Sequence, residues 1–100
     1  MSLSTHVLDT ANGRPAAGVA IVLRRGDEVL ASVSTDADGR VSFGDVGGGD
    51  FELEFAVGDY FESHEFLDRV PVRFRITDPS AHYHVPLLVS PWAYSTYRGS

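Results

Sequence analysis

The sequence contains no cysteine and no lysine. Without cysteine there is no disulfide, no thiol nucleophile and no thiolate metal site, and the composition is compatible with a reducing compartment. No apolar run approaches the ~20 residues of a membrane helix. No basic stretch followed by an apolar one opens the chain, so no signal peptide is expected. Positive charge is also scarce: eight basic residues, all arginine, stand against fourteen acidic ones, for a net charge of −6. That balance suits neither nucleic acid nor an anionic membrane surface. A soluble cytoplasmic protein with no nucleic-acid and no membrane partner is the expectation. Internal repeats, coiled-coil heptads and low-complexity tails are absent as well.

What the chain does have is alternation. Its 100 residues, 43% of them hydrophobic, suit one domain, 1–100, and a chain of this size buries roughly two-thirds of its unfolded surface. "RVPVRFRIT", residues 69 to 77, puts Val70, Val72, Phe74 and Ile76 on one side and Arg69, Arg73, Arg75 and Thr77 on the other. That is the period-two signature of a half-buried antiparallel strand. "FELEFAV", residues 51 to 57, repeats it, with Glu52 and Glu54 outward. "VAIVLR" and "VLASVS" flank "RGDE", a hairpin signal through Gly26-Asp27. "TDADGR", residues 35 to 40, is a turn in which Gly39 is free to take positive φ. Short strands separated by Gly/Asp turns indicate an all-β sandwich or barrel. Only "VGDYFESHEFL", residues 57 to 67, breaks the pattern and suits a short helical turn.

Three segments are semi-apolar on both sides. In "LSTHVLD" Thr5 and Val7 oppose Ser4, His6 and Leu8; in "HYHVPLLV" Tyr83, Val85, Leu87 and Val89 oppose His82, His84, Pro86 and Leu88; and in "WAYSTYRGS" Tyr97 shares a side with Ser95 and Gly99. A strand apolar on both faces is covered on both. A two-layer sandwich covers one face of each sheet, so a second subunit is expected over the other.

Candidate chemistry gathers on the same segments. His6 and His84 sit on the less ordinary faces of two such strands, and histidine titrates near pH 6.5, where it suits proton transfer. A lone histidine there is more commonly a satisfied half-buried group than a catalyst. His82 and His84 could form half a metal site, with His64 a further ligand, but zinc takes three or four protein ligands and no H-E-x-x-H pattern is present, so no metal is expected. Arg40 follows a Gly turn. It is either a solvated turn arginine or a guanidinium fork for an anionic or carbonyl-rich ligand. Arg69, Arg73 and Arg75 form a stripe best read as a solvated face paired with carboxylates. A Ser-His-Asp set can be assembled from Ser95 or Ser100, His84 and Asp9, without a G-x-S-x-G elbow to support it.

"STHVLDTANGRPAAGVAIVL" near the start, "TDADGR" in the middle and "AHYHVPLLVSPWAYSTYRGS" at the end resemble, in order and over essentially the whole chain, the transthyretin-related proteins. The "HVLD" opening and the "YRGS" ending resemble the enzyme branch, the 5-hydroxyisourate hydrolases. The resemblance implies a transthyretin-like (prealbumin-like) eight-stranded antiparallel β-sandwich with one short helix after the fifth strand. It also implies a homotetramer built as a dimer of dimers. By the same resemblance, His6, Arg40 and His84 match catalytic positions, and Tyr97, Arg98, Gly99 and Ser100 match a substrate-binding terminal tetrapeptide. The implied reaction is hydrolysis of 5-hydroxyisourate to 2-oxo-4-hydroxy-4-carboxy-5-ureidoimidazoline in urate degradation, with no metal or organic cofactor. The alternative is a non-catalytic carrier of a small ligand. His82 matches no catalytic position of the family.

Overall fold

The computed structural model describes residues 2–99. Ten elements follow one another: β1 (Ser2–Asp9), β2 (Arg14–Pro15), β3 (Ala20–Arg25), β4 (Glu28–Ser34), β5 (Arg40–Gly44), β6 (Gly49–Phe55), α1 (Val57–Phe61), β7 (Val70–Ile76), β8 (His82–Val89) and β9 (Tyr94–Thr96). With two-residue β2 set aside there are eight strands, and the helix follows the fifth of them. None of the described helices is long and apolar enough to cross a membrane.

The strands form two sheets. One has the order β4-β3-β6-β7. In the other, β2 and β5 occupy successive stretches of the same edge of β1, and β8 and β9 follow on its far side. Among the described residues all strand pairings are antiparallel except one. β1 and β8 run parallel over eight register pairs, from Ser2–His82 to Asp9–Val89. The sandwich is thus antiparallel in the main, as expected above, with this one parallel pair inside it. Parallel neighbours need a long connection, and here nearly the whole chain supplies it.

The core lies between the sheets. Leu3, Val7, Val85, Leu87 and Val89 on one side meet Ile21, Leu23, Leu53, Phe55, Val70 and Ile76 on the other, all buried. Each such side chain stabilises the fold by roughly 1.5–3 kcal/mol relative to an exposed position. Period two holds along β6 and β7, as the alternation in the sequence predicts. Outward-facing charges on that sheet pair across strands: Arg73 Nε donates to Glu52 at 2.9 Å and Arg75 Nε to Asp50 at 2.6 Å. Much of the arginine stripe therefore belongs to a solvated ion-pair ladder of modest energetic weight.

The turn before β5 is held at close quarters. Asp36 Oδ1 accepts the backbone N–H groups of Asp38 and Arg40, both at 2.9 Å. The Gly39 carbonyl accepts Val7 N–H at 2.8 Å, tying the turn to β1. Gly39 has φ +75°, and a Cβ there would lie 2.6 Å from the Val7 carbonyl oxygen. Both conformation and space demand glycine. Gly39→Ala is expected to destabilise the protein by about 2 kcal/mol or more, since left-handed backbone alone costs about 1–3 kcal/mol for other residues. Urea unfolding checks this; an unchanged midpoint would contradict it.

Candidate active site

Three neighbouring strands carry the candidate residues, and their registers bring the residues together. On β1 the positions alternate, with Leu3, Thr5, Val7 and Asp9 buried and Ser2, Ser4, His6 and Leu8 on the opposite, half-buried face. Antiparallel pairing with β5 sets His6 directly opposite Arg40 and Ser4 opposite Ser42. Parallel pairing with β8 sets Ser4 beside His84 and His6 beside Pro86. Paired residues share a face of a sheet, so His6, Arg40, His84, His82, Ser2 and Ser4 lie on one outer face. Ser4, Asp36, Arg40, Ser42, His82 and His84 line an open cleft of about 450 Å³ there.

His84 is the best-anchored of the group. Its Nδ1 hydrogen-bonds Ser4 Oγ at 2.8 Å. Partial burial pushes its pKa below the usual histidine value, and the nearby Arg40, His6 and His82 push it the same way. The Ser4 contact works against this without reversing it. The imidazole is therefore neutral at neutral pH and able to accept a proton. His6 contributes an Nε2 atom that is buried without a hydrogen-bond partner among the described residues. A buried polar atom in that condition is uncommon and requires a partner. Arg40 is exposed, its backbone held by Asp36.

The terminal segment divides. Gly99 N–H donates to the His84 carbonyl at 2.7 Å, and a Cβ at Gly99 would come within 2.8 Å of His84 Cδ2. Gly99 thus packs against the edge of the imidazole. Tyr97, 60% exposed, and Arg98 border a different cleft, of about 180 Å³, with Phe74, Tyr83 and Val85. The Arg98 guanidinium sits 4.0 Å over the Tyr83 ring. Ser100 lies outside the described residues. Within one chain, then, His6, Arg40, His84 and Gly99 converge, whereas Tyr97 and Arg98 do not line the histidine cleft.

Two further expectations meet the geometry. Asp9 faces the interior, away from His84, and its carboxylate accepts Asn12 N–H at 2.9 Å, Asn12 Nδ2 at 2.8 Å and Tyr60 O–H at 2.8 Å. Burial raises its pKa, but those hydrogen bonds outweigh it and hold the carboxyl below the usual range. The Ser-His-Asp set is therefore not assembled, because Asp9 is committed elsewhere. Of groups that could hold a metal ion, the described residues bring together Asp59, His64 and Asp68, with one ligand atom each within 4.8 Å of the others. All three are exposed, and they do not line the histidine cleft.

Ser4 and Asp36 line the cleft without being singled out in the sequence, and His82, weighed there only as half a metal site, lines it too. The spacing of His82 and His84 and the alternation of Ser2, Ser4 and His6 signalled shared faces. Only the strand pairing shows that those faces adjoin. With His84 held below its ordinary value, the unfolded chain binds more protons than the folded one between the two values. Stability is then expected to rise with pH across that window and level off above about 6.5. Denaturant titrations should show a steeper rise in the wild type than in His84→Gln; equal slopes would contradict the shift.

Residues 3–99 match the family described as the HIUase/Transthyretin family. A curated relative from Rhizobium meliloti, 5-hydroxyisourate hydrolase 2, is 51% identical over 98% of this chain and 95% of its own length. Among solved structures, the 5-hydroxyisourate hydrolase of Klebsiella pneumoniae superposes with a TM-score of 0.90 at 37% identity, covering 99% of this chain and 93% of that one. Sea bream transthyretin in complex with thyroxine superposes with a TM-score of 0.85 at 27% identity, covering 97% and 93%.

Proposed function

The chain belongs to the HIUase/transthyretin family, and we propose that within it the chain hydrolyses 5-hydroxyisourate, in urate degradation. One observation carries the reading beyond kinship. The β1–β5 register sets His6 opposite Arg40, and the β1–β8 register adds His84 to the same face. Two imidazoles and a guanidinium on one face, with His84 and Arg40 lining a polar cleft and His6 paired beside them, are what hydrolysis of a cyclic acyl–nitrogen bond asks of a protein.

The chemistry follows from those groups. A neutral histidine takes a proton from water as the water oxygen bonds to the carbonyl carbon. Arg40 orients the heterocycle and donates hydrogen bonds to the oxyanion that develops on the carbonyl. The carbon–nitrogen bond then breaks, and a protonated histidine returns a proton to the leaving nitrogen. His84, kept neutral by burial and by Arg40, suits the base; His6 is its partner. These side chains supply base, acid and donor, so the reaction needs no metal or organic cofactor. Gly99 keeps the terminal segment against His84. The substrate contacts of Tyr97, Arg98 and Ser100 are proposed on the resemblance of the terminal tetrapeptide alone, since within one chain Tyr97 and Arg98 border a different cleft.

The finer reading is a cytoplasmic, single-domain enzyme, 1–100, that assembles as a homotetramer, a dimer of dimers. Support for assembly comes from the exposed Val29, Leu30, Val33, Phe66, Trp92, Tyr94 and Tyr97 and from the buried, unpartnered His6 Nε2. A neighbouring subunit would cover such surface. The carrier alternative is the weaker one, since identity is 51% to a hydrolase and 27% to the thyroxine-bound relative.

His6→Ala, His84→Ala and Arg40→Ala are each expected to lower kcat/KM by about 10²-fold or more while the fold persists. The assay is loss of 5-hydroxyisourate absorbance over its spontaneous decay; near-wild-type rates in all three would contradict the assignment. Gly99→Ala should lower turnover through the displaced His84 ring, and circular dichroism would report an intact sheet.

A further inference from the structure

We infer that Ser4 and His82 are positioning residues for the hydrolysis, forming with Ser2 a hydrogen-bonded proton relay that sets which nitrogen of His84 carries its proton. The inference rests on the hydrolase reading above. Its members form one line on the outer face. Ser2 Oγ lies 2.5 Å from His82 Nδ1, Ser4 Oγ lies 3.5 Å from His82 Nε2, and Ser4 Oγ lies 2.8 Å from His84 Nδ1. The two imidazoles lie nearly parallel, 6.4 Å apart with an interplanar angle of 11°, and the Ser4 hydroxyl contacts both.

A hydroxyl has one proton to give and lone pairs to accept, so the line has two settings. In the first, His84 Nδ1–H donates to Ser4, Ser4 donates to His82 Nε2, and His82 Nδ1–H donates to Ser2. His84 Nε2 is then bare, a base. In the second every donor reverses: Ser2 donates to His82 Nδ1, His82 Nε2–H to Ser4, and Ser4 to His84 Nδ1. His84 Nε2 then carries a proton, an acid. No net charge separates the two settings.

Turnover moves between them. When His84 Nε2 takes a proton from water, His84 becomes an imidazolium beside Arg40, in a half-buried place that disfavours charge. Its Nδ1 proton passes to Ser4 Oγ as the Ser4 proton passes to His82 Nε2. The positive charge thereby moves to exposed His82, and loss of the His82 Nδ1 proton to Ser2 or solvent completes the transfer. The neutral His84 left behind holds its proton on Nε2. As that proton goes to the leaving nitrogen, Ser4 passes its proton to His84 Nδ1, His82 Nε2–H passes its proton to Ser4, and Ser2 or solvent returns one to His82 Nδ1, which restores the first setting. The long link, Ser4 to His82, closes by a small rotation of the exposed His82 ring. The charged and titratable groups around the line are Arg40, Asp36 and His6 in and beside the cleft, and Arg98, whose Nη2 donates to the His82 carbonyl at 3.4 Å.

The test compares wild type, Ser4→Ala, Ser4→Thr and His82→Gln for turnover of 5-hydroxyisourate at rising imidazole concentration, with ring-nitrogen NMR shifts of His84. Ser4→Ala and His82→Gln should lose about tenfold or more in kcat with little change in KM. Added imidazole should restore His82→Gln, Ser4→Thr should stay near wild type, and Ser4→Ala should shift the His84 tautomer balance. Wild-type kcat in Ser4→Ala and His82→Gln would overturn the relay, as would a loss that imidazole does not restore. If the wild type shows no turnover, the hydrolase reading fails. The His84 shifts still judge the relay's geometry in that case: unchanged in Ser4→Ala, they overturn it.

Discussion

The parallel ladder between β1 and β8 is the constraint on which the rest depends. It joins the first strand to one near the end of the chain over eight register pairs. Side-chain hydrogen bonds reinforce it: Thr5 Oγ1 donates to the Val85 carbonyl at 2.6 Å and Thr10 Oγ1 to the Val89 carbonyl at 3.1 Å. A slip of one residue would turn Leu3, Val7, Val85 and Leu87 out of the core. Burial of those four side chains therefore holds the register, and the register holds Ser4 beside His84. The precision of the site is borrowed from the hydrophobic core behind it.

Arg40 is fixed by a second device of the same kind. The Asp36 carboxylate gathers the turn, Gly39 lets it press onto β1, and the β5 register then faces Arg40 to His6. Cationic and imidazole groups are thus crowded on a half-buried face. Crowding and desolvation both favour the neutral imidazole, which is the form that accepts a proton from water. The electrostatic character of His84 follows from backbone geometry set by residues that never touch a substrate.

Much of this was legible in the sequence, for a physical reason. Period two is imposed by the strand itself, so the inward faces of β6 and β7 and the shared outward face of His82 and His84 could be read directly. The Gly39 turn announced itself through residue chemistry. Motifs resembling the transthyretin-related proteins supplied His6, Arg40 and His84. The parallel pairing was not legible, because a strand's alternation says nothing about which distant strand lies beside it. The link between Ser4 and His82 was hidden for that reason: a serine and a histidine about eighty positions apart acquire meaning only when the register joins them. The stacking of Arg98 on Tyr83 was not legible either, since it depends on where the terminal segment folds back.

In the proposed hydrolysis His6 and His84 act as one unit on one substrate. The most direct measurement is a double-mutant cycle on kcat/KM with His6→Ala, His84→Ala and the double variant, assayed on freshly generated 5-hydroxyisourate. Groups that share a proton-transfer task are strongly non-additive. The double variant is therefore expected to fall little further than either single one. Losses that simply multiply would mean that the two histidines act independently, and would contradict the proposal.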